Sequence, residues 1–256
     1  MKFVITGHMR SGQHAIHMWI VSGMPAVCYM TAPWWNGALQ LPQRRIGDAA
    51  PQELRARFRG ATEHTLIETE EVPLRALTPW PTRVYGARES CTWVVILRSF
   101  PNWLASRVEY ERKKPLNANK CADPLKEWCE FAELALSARD VPAELALSAQ
   151  STLAPVTLLY DKWVIDGDYR AEIQSQLGLR DFQLSDEYVP LNGGGSSFIG
   201  INRESDASAY LERYKTLDAE HIQQCLDPKC QTLVERLFGA EHCAEMYAWL
   251  EAETMK

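Results

Sequence analysis

Apolar residues in this chain follow two rhythms. Short runs rich in apolar residues mark strands. They fall at Lys2 to Thr6, His64 to Thr69, Trp93 to Leu97 and Val156 to Tyr160, with a further short one at Pro25 to Met30. A run that is apolar throughout, such as Trp-Val-Val-Ile-Leu at 93–97, suits a strand covered on both faces. Between these runs the spacing changes. Ala15, Ile16, Trp19 and Ile20 recur at helical intervals from Gln13 onward, and Gly23 supplies a stop. A helix is expected after Ser99, with Pro101 in its first turn. Others are expected over 124–140, over Tyr169 to Leu177 with its end at Gly178, and through most of the chain beyond Asp206. Residues 31–62 and 186–205 lack either rhythm and are expected to be loops around a site.

Strands that alternate with helices imply βαβ units and a parallel sheet. The expected fold is α/β: a single domain over residues 1–256, with a central parallel β-sheet flanked by helices. A length of 256 residues suits one such domain. Apolar residues at 46% and charged residues at 23% are ordinary for a folded chain. The net charge of −6 lacks the basic face that nucleic acid requires, so no nucleic-acid partner is expected. A small anionic ligand stays possible, because a pocket can be locally basic. No stretch approaches the roughly 20 apolar residues of a membrane helix. The short run after Lys2 is no secretory signal, so a cytoplasmic protein is expected. Seven cysteines, an odd number scattered along the chain, suggest reduced thiols. Cys225 and Cys230, with His221 and His242 near them, match no common zinc spacing, so no metal site is expected.

Candidate chemistry begins at the first loop. Gly7-His8-Met9-Arg10-Ser11-Gly12 stands between the first strand and the first helix. A helix N-terminus carries unpaired N–H groups and partial positive charge, and glycines let backbone close around a phosphate. The loop therefore reads as P-loop-like. The triphosphatase form continues Gly-Lys-[Ser/Thr], with lysine on the β/γ-phosphates and a hydroxyl on Mg²⁺. Here Gln13 and His14 follow Gly12, so both functions are missing, and Arg10 and Ser11 lie inside the loop instead.

Residues 4–16, Val-Ile-Thr-Gly-His-Met-Arg-Ser-Gly-Gln-His-Ala-Ile, resemble the 5′-phosphosulfate-binding loop of sulfotransferases. These enzymes use 3′-phosphoadenosine 5′-phosphosulfate (PAPS) and release adenosine 3′,5′-bisphosphate (PAP). Arg10, Ser11 and Gly12 match the family pattern, while Gln13 and His14 replace two threonines. Residues 94–110 are similar to the family's 3′-phosphate motif, in which an arginine ends a strand and a serine follows eight residues later. Arg98 and Ser106 have that spacing. Residues 158–179 resemble the strand-helix segment that follows, and read mainly as scaffold. Gly193 to Phe198 resemble a glycine-rich late loop, although the family's Arg-Lys-Gly is absent.

The resemblance implies a cofactor site of Gly7, His8, Met9, Arg10, Ser11, Gly12, Gln13, His14 and Ala15, with Arg98, Ser106, Gly194, Gly195, Ser196 and Ser197 on the 3′ side. Arg203 is a further source of charge there. It implies PAPS as donor, PAP as product, no metal, and a small-molecule or carbohydrate acceptor. Arg10 stands where the family has its basic residue beside the bridging oxygen. His64 to Pro73 resembles the family's Lys-Thr-His-Leu-Pro stretch, which makes Glu70 the first candidate base and Glu71 the second. His14, beside the donor site, is another. Trp34, Trp35 and Trp80 suit an acceptor pocket or a core equally. Two other readings stay open: a P-loop nucleotide or small-molecule kinase, and a non-catalytic PAP-binding relative.

Overall fold

The computed structural model describes residues 2–8, 10–22, 28–31, 43–44, 65–70, 92–113, 123–139, 155–179 and 211–256. Six strands form one sheet: β1 (Lys2–Gly7), β2 (Cys28–Thr31), β3 (Gln43–Arg44), β4 (Thr65–Glu70), β5 (Thr92–Leu97) and β6 (Val156–Leu159). Their spatial order is β3-β2-β4-β1-β5-β6. All neighbouring pairs are parallel except β2–β3. The short antiparallel β3 falls inside the 31–62 stretch expected to be irregular. A two-residue pairing leaves no apolar period for a sequence to show.

The helices are α1 (Gln13–Ser22), α2 (Phe100–Lys113), α3 (Pro124–Arg139), α4 (Tyr160–Ile165), α5 (Gly167–Gln176), α6 (Ala219–Cys225), α7 (Pro228–Phe238) and α8 (Ala240–Thr254). A 3₁₀ turn covers Arg213–Thr216. Tyr160, expected to close the last strand, instead opens α4. An aromatic residue fits either place, and the next residue, Asp161, accepts Ser99 N–H just beyond β5. Caps fix several helix starts. Asp166, Asp218 and Asp227 each accept a backbone N–H from the first turn, at 2.9, 3.1 and 3.0 Å.

Period-two alternation distributes β5 between two cores. Val94 and Ile96 join Phe3, Ile5, Ile16, Trp19 and Ile20 on the face carrying α1 and α5. Val95 and Leu97 join Trp103, Trp128 and the carboxyl-terminal helices on the other. β5 is thus buried on both faces, as its unbroken apolar run requires. Cys129, Cys225, Cys230 and Cys243 are free thiols within the second core. Burial raises the thiol pKa of each. Among the described residues, no helix is long and apolar enough to cross a membrane.

The chain first builds outward from β1 to β2 and β4, then returns past β1 to add β5 and β6. The reversal lies between β1 and β5. In open parallel sheets, ligands bind beyond the carboxyl ends of the strands at such a reversal. The first loop and Arg98 both lie there.

Candidate functional site

β1 ends at Gly7, flanked in register by Glu70 of β4 and Ile96 of β5. The loop folds back onto this glycine. A Cβ there would stand 2.7 Å from the Ile96 carbonyl oxygen and 2.9 Å from Gln13 Nε2. Only glycine fits. The His8 carbonyl accepts from Ser11 N–H at 3.0 Å and from Gln13 Nε2 at 3.2 Å. The Gln13 amide thus closes the loop on itself. Arg10 has φ 73° and Gly12 φ 90°, two left-handed residues in one tight curve. Arg10 is half-buried, with its guanidinium 5.1 Å above the Tyr110 ring. The Ser11 hydroxyl is buried in the loop and has no hydrogen-bond partner among the described residues.

His8 diverges from its neighbours. Its ring lies in the core, with centroids 4.8 Å from Trp103 and 4.4 Å from Phe131. Burial, reinforced by the Arg107 guanidinium, lowers its pKa to about 3. Only its backbone belongs to the loop.

The second cluster grows from the end of β5. Arg98 is nearly fully buried, and its backbone carbonyl accepts from Trp128 Nε1 at 2.9 Å. One guanidinium nitrogen donates to Ser106 Oγ of α2 at 3.5 Å, so the eight-residue spacing does bring the pair together. Asp161, wholly buried in the first turn of α4, holds the other side. It lies 3.5 Å from Arg98 Nε and accepts Ser99 N–H at 3.1 Å. Arg213, from the 3₁₀ turn, also donates to Ser106 Oγ, at 2.6 Å. The next residue, Tyr214, donates its N–H to Asn102 Oδ1 at 3.2 Å, and Asn102 donates to Ser99 Oγ at 3.1 Å.

Tyr160 joins the two clusters. Arg98 lies 5.1 Å above its ring. A Cβ on Gly12 would fall 2.1 Å from a Tyr160 ring carbon. The ring therefore packs directly on the loop glycine, and the same ring meets the strand-end arginine.

Gly7, Arg10, Ser11, Gly12, Gln13, Arg98 and Ser106 are thus gathered at adjoining strand ends, and Ala15 lies in the first turn of α1. Of His14 and Glu70 the structure describes the backbone: the first turn of α1, and the last residue of β4 beside Gly7. Met9, Glu71, Gly194, Gly195, Ser196, Ser197, Arg203, Trp34, Trp35 and Trp80 lie outside the described residues. Sequence reasoning overlooked Tyr160, Asp161, Asn102 and Arg213. The first two stood in the segment read as scaffold. Arg213 had no local signal at all.

No family model matches the chain, and no curated protein matches it. Among solved structures, the sulfotransferase domain of the olefin synthase of Synechococcus PCC 7002 is similar over 93% of this chain and 94% of that one. The identity is 13% and the TM-score 0.54. The chain therefore has the α/β fold of a sulfotransferase domain. The mouse sulfotransferase SULT7A1, complexed with PAP, aligns over 99% of this chain and 89% of that one, at 15% identity and TM-score 0.41.

Proposed function

We propose that this protein is a sulfotransferase that moves a sulfuryl group from PAPS to a hydroxyl or amine of a small-molecule or carbohydrate acceptor. One observation carries the reading. Two anion-suited clusters, the first loop and the Arg98–Ser106 pair, stand at the ends of adjacent strands and share the Tyr160 ring. PAPS carries phosphate at two separate positions of one nucleoside. The buried Ser11 hydroxyl, without a hydrogen-bond partner among the described residues, fits a ligand oxygen.

In this reading the backbone of residues 7–15 and the Ser11 hydroxyl hold the 5′-phosphosulfate. Arg98 and Ser106 hold the 3′-phosphate, and Gly194, Gly195, Ser196 and Ser197 cover it. An acceptor oxygen or nitrogen forms a bond to sulfur as the bond from sulfur to the bridging phosphate oxygen breaks. Arg10 stabilises the charge that gathers on that oxygen, and its very high pKa keeps it from donating a proton. Glu70 takes the acceptor's proton; Glu71 and His14 are the alternative bases. Glu70 has backbone support for this role, since it ends a strand directly beside Gly7.

The test is transfer of labelled sulfate from PAPS to a panel of hydroxyl and amine acceptors, with PAP and ATP binding measured alongside. Transfer with PAP binding that needs no Mg²⁺ supports the proposal. PAP binding without transfer to any acceptor points to a binding relative, and tight ATP–Mg²⁺ binding with weak PAP binding to a kinase. The Glu70→Gln variant is expected to lose transfer and keep PAP binding. Full activity in that variant would move the base to Glu71 or His14.

A further inference from the structure

Ser106 is wholly buried, and its oxygen accepts hydrogen bonds from two guanidinium groups, Arg98 at 3.5 Å and Arg213 at 2.6 Å. A hydroxyl has two acceptor lone pairs and one proton to donate. Both lone pairs are engaged here, and no described residue accepts the proton. A buried donor left in that condition, between two cations, calls for an anionic acceptor. Arg213 is nearly fully buried and is fixed in place by its neighbour, since Tyr214 N–H is bound to Asn102 on the same helix as Ser106. Arginines on the lone pairs and an anion on the proton occupy different directions around one oxygen, so all three can be held together.

We propose that Arg213 is a specificity-determining residue of the donor site. With Arg98 and Ser106 it grips a phosphoryl group on the ribose 3′ position. A residue 107 positions after Ser106 then helps to distinguish a nucleoside 3′,5′-bisphosphate from a nucleoside 5′-monophosphate. This rests on the donor reading above.

The experiment compares PAP with adenosine 5′-monophosphate by calorimetry, in the wild-type chain and in the Arg213→Ala and Arg213→Lys variants. In Arg213→Ala, PAP affinity is expected to fall about 10- to 100-fold, the scale of one lost charge-assisted hydrogen bond, while 5′-monophosphate affinity stays within about twofold. Arg213→Lys keeps the charge without the planar fork and is expected to lie between. An equal loss for both nucleotides, or an unchanged preference for PAP, overturns the proposal and leaves Arg213 a structural tie. If Arg213→Ala does not fold, the Lys variant decides by the same ratio. A wild-type chain with no preference for PAP over the monophosphate removes the donor reading itself, a result distinguishable from failure of Arg213 alone.

Discussion

His8 follows the loop's first glycine but serves the core. Its ring is wedged between Trp103 and Phe131. Its pKa in the folded protein is about 3, below the ordinary 6.5. The native state therefore keeps it neutral where the unfolded chain would take up a proton. That stability is complete above about pH 6.5 and is lost as pH falls toward 3. At about 1.4 kcal/mol per pKa unit, the full loss is roughly 4–5 kcal/mol. Urea unfolding at pH 7 and pH 5 is expected to show about 2 kcal/mol more acid destabilisation in the wild type than in His8→Leu. Equal pH dependence in the two proteins would clear His8 of the effect. Asp161 has a different burden, because it is the carboxylate facing Arg98 in a fully buried site. Its removal leaves that guanidinium buried without this counter-charge, so Asp161→Ala is expected to cost about 3 kcal/mol or more in denaturant unfolding. An exposed pair would give a fraction of that.

At the scale of elements, the site depends on how α1 and α4 meet. Gly12 precedes α1, and the Tyr160 ring at the start of α4 occupies the space a Cβ would need. Gly12→Ala adds a clash to a left-handed φ of 90°. Together these are expected to cost about 2–4 kcal/mol and to weaken PAP binding; chemical denaturation and calorimetry on one sample check both. This contact also shows what the sequence made legible. β1 and β5 were readable because strands covered on both faces must be apolar throughout. The loop was readable from glycines between strand and helix. The Arg98–Ser106 pair was readable through the resemblance to a family motif, whose spacing of eight carries the serine back toward the strand end. Tyr160 was misassigned to the strand, since nothing in its own window distinguishes a strand end from a helix start. Asp161 and Arg213 reach the site from 62 residues beyond Ser99 and 107 beyond Ser106. Such contacts are products of the strand order, which no local period encodes.

Across the whole molecule, the site draws on three distant stretches: the amino-terminal loop, the β5–α2 junction, and the turn that leads into the carboxyl-terminal helices. Those helices are anchored by the core they share with Val95, Leu97 and Trp103. In the proposed reading, a nucleotide that touches both clusters links elements from opposite ends of the chain and should stabilise all of them as one unit. Ligand at about 100 times its Kd adds about 2.7 kcal/mol to the native state. For a domain of this size that raises the melting temperature by roughly 5–10 °C. PAP is expected to produce this shift in the presence of a chelator, because in the proposed site Arg10, Arg98 and Arg213 take the place of the lysine and Mg²⁺ of a triphosphatase. ATP with Mg²⁺ should shift it less, since it lacks a phosphate for the Arg98–Ser106 cluster. Arg98→Ala should abolish most of the PAP effect while leaving a single transition. A PAP shift that persists in that variant would place the bisphosphate elsewhere and dissolve the link between the two strand ends.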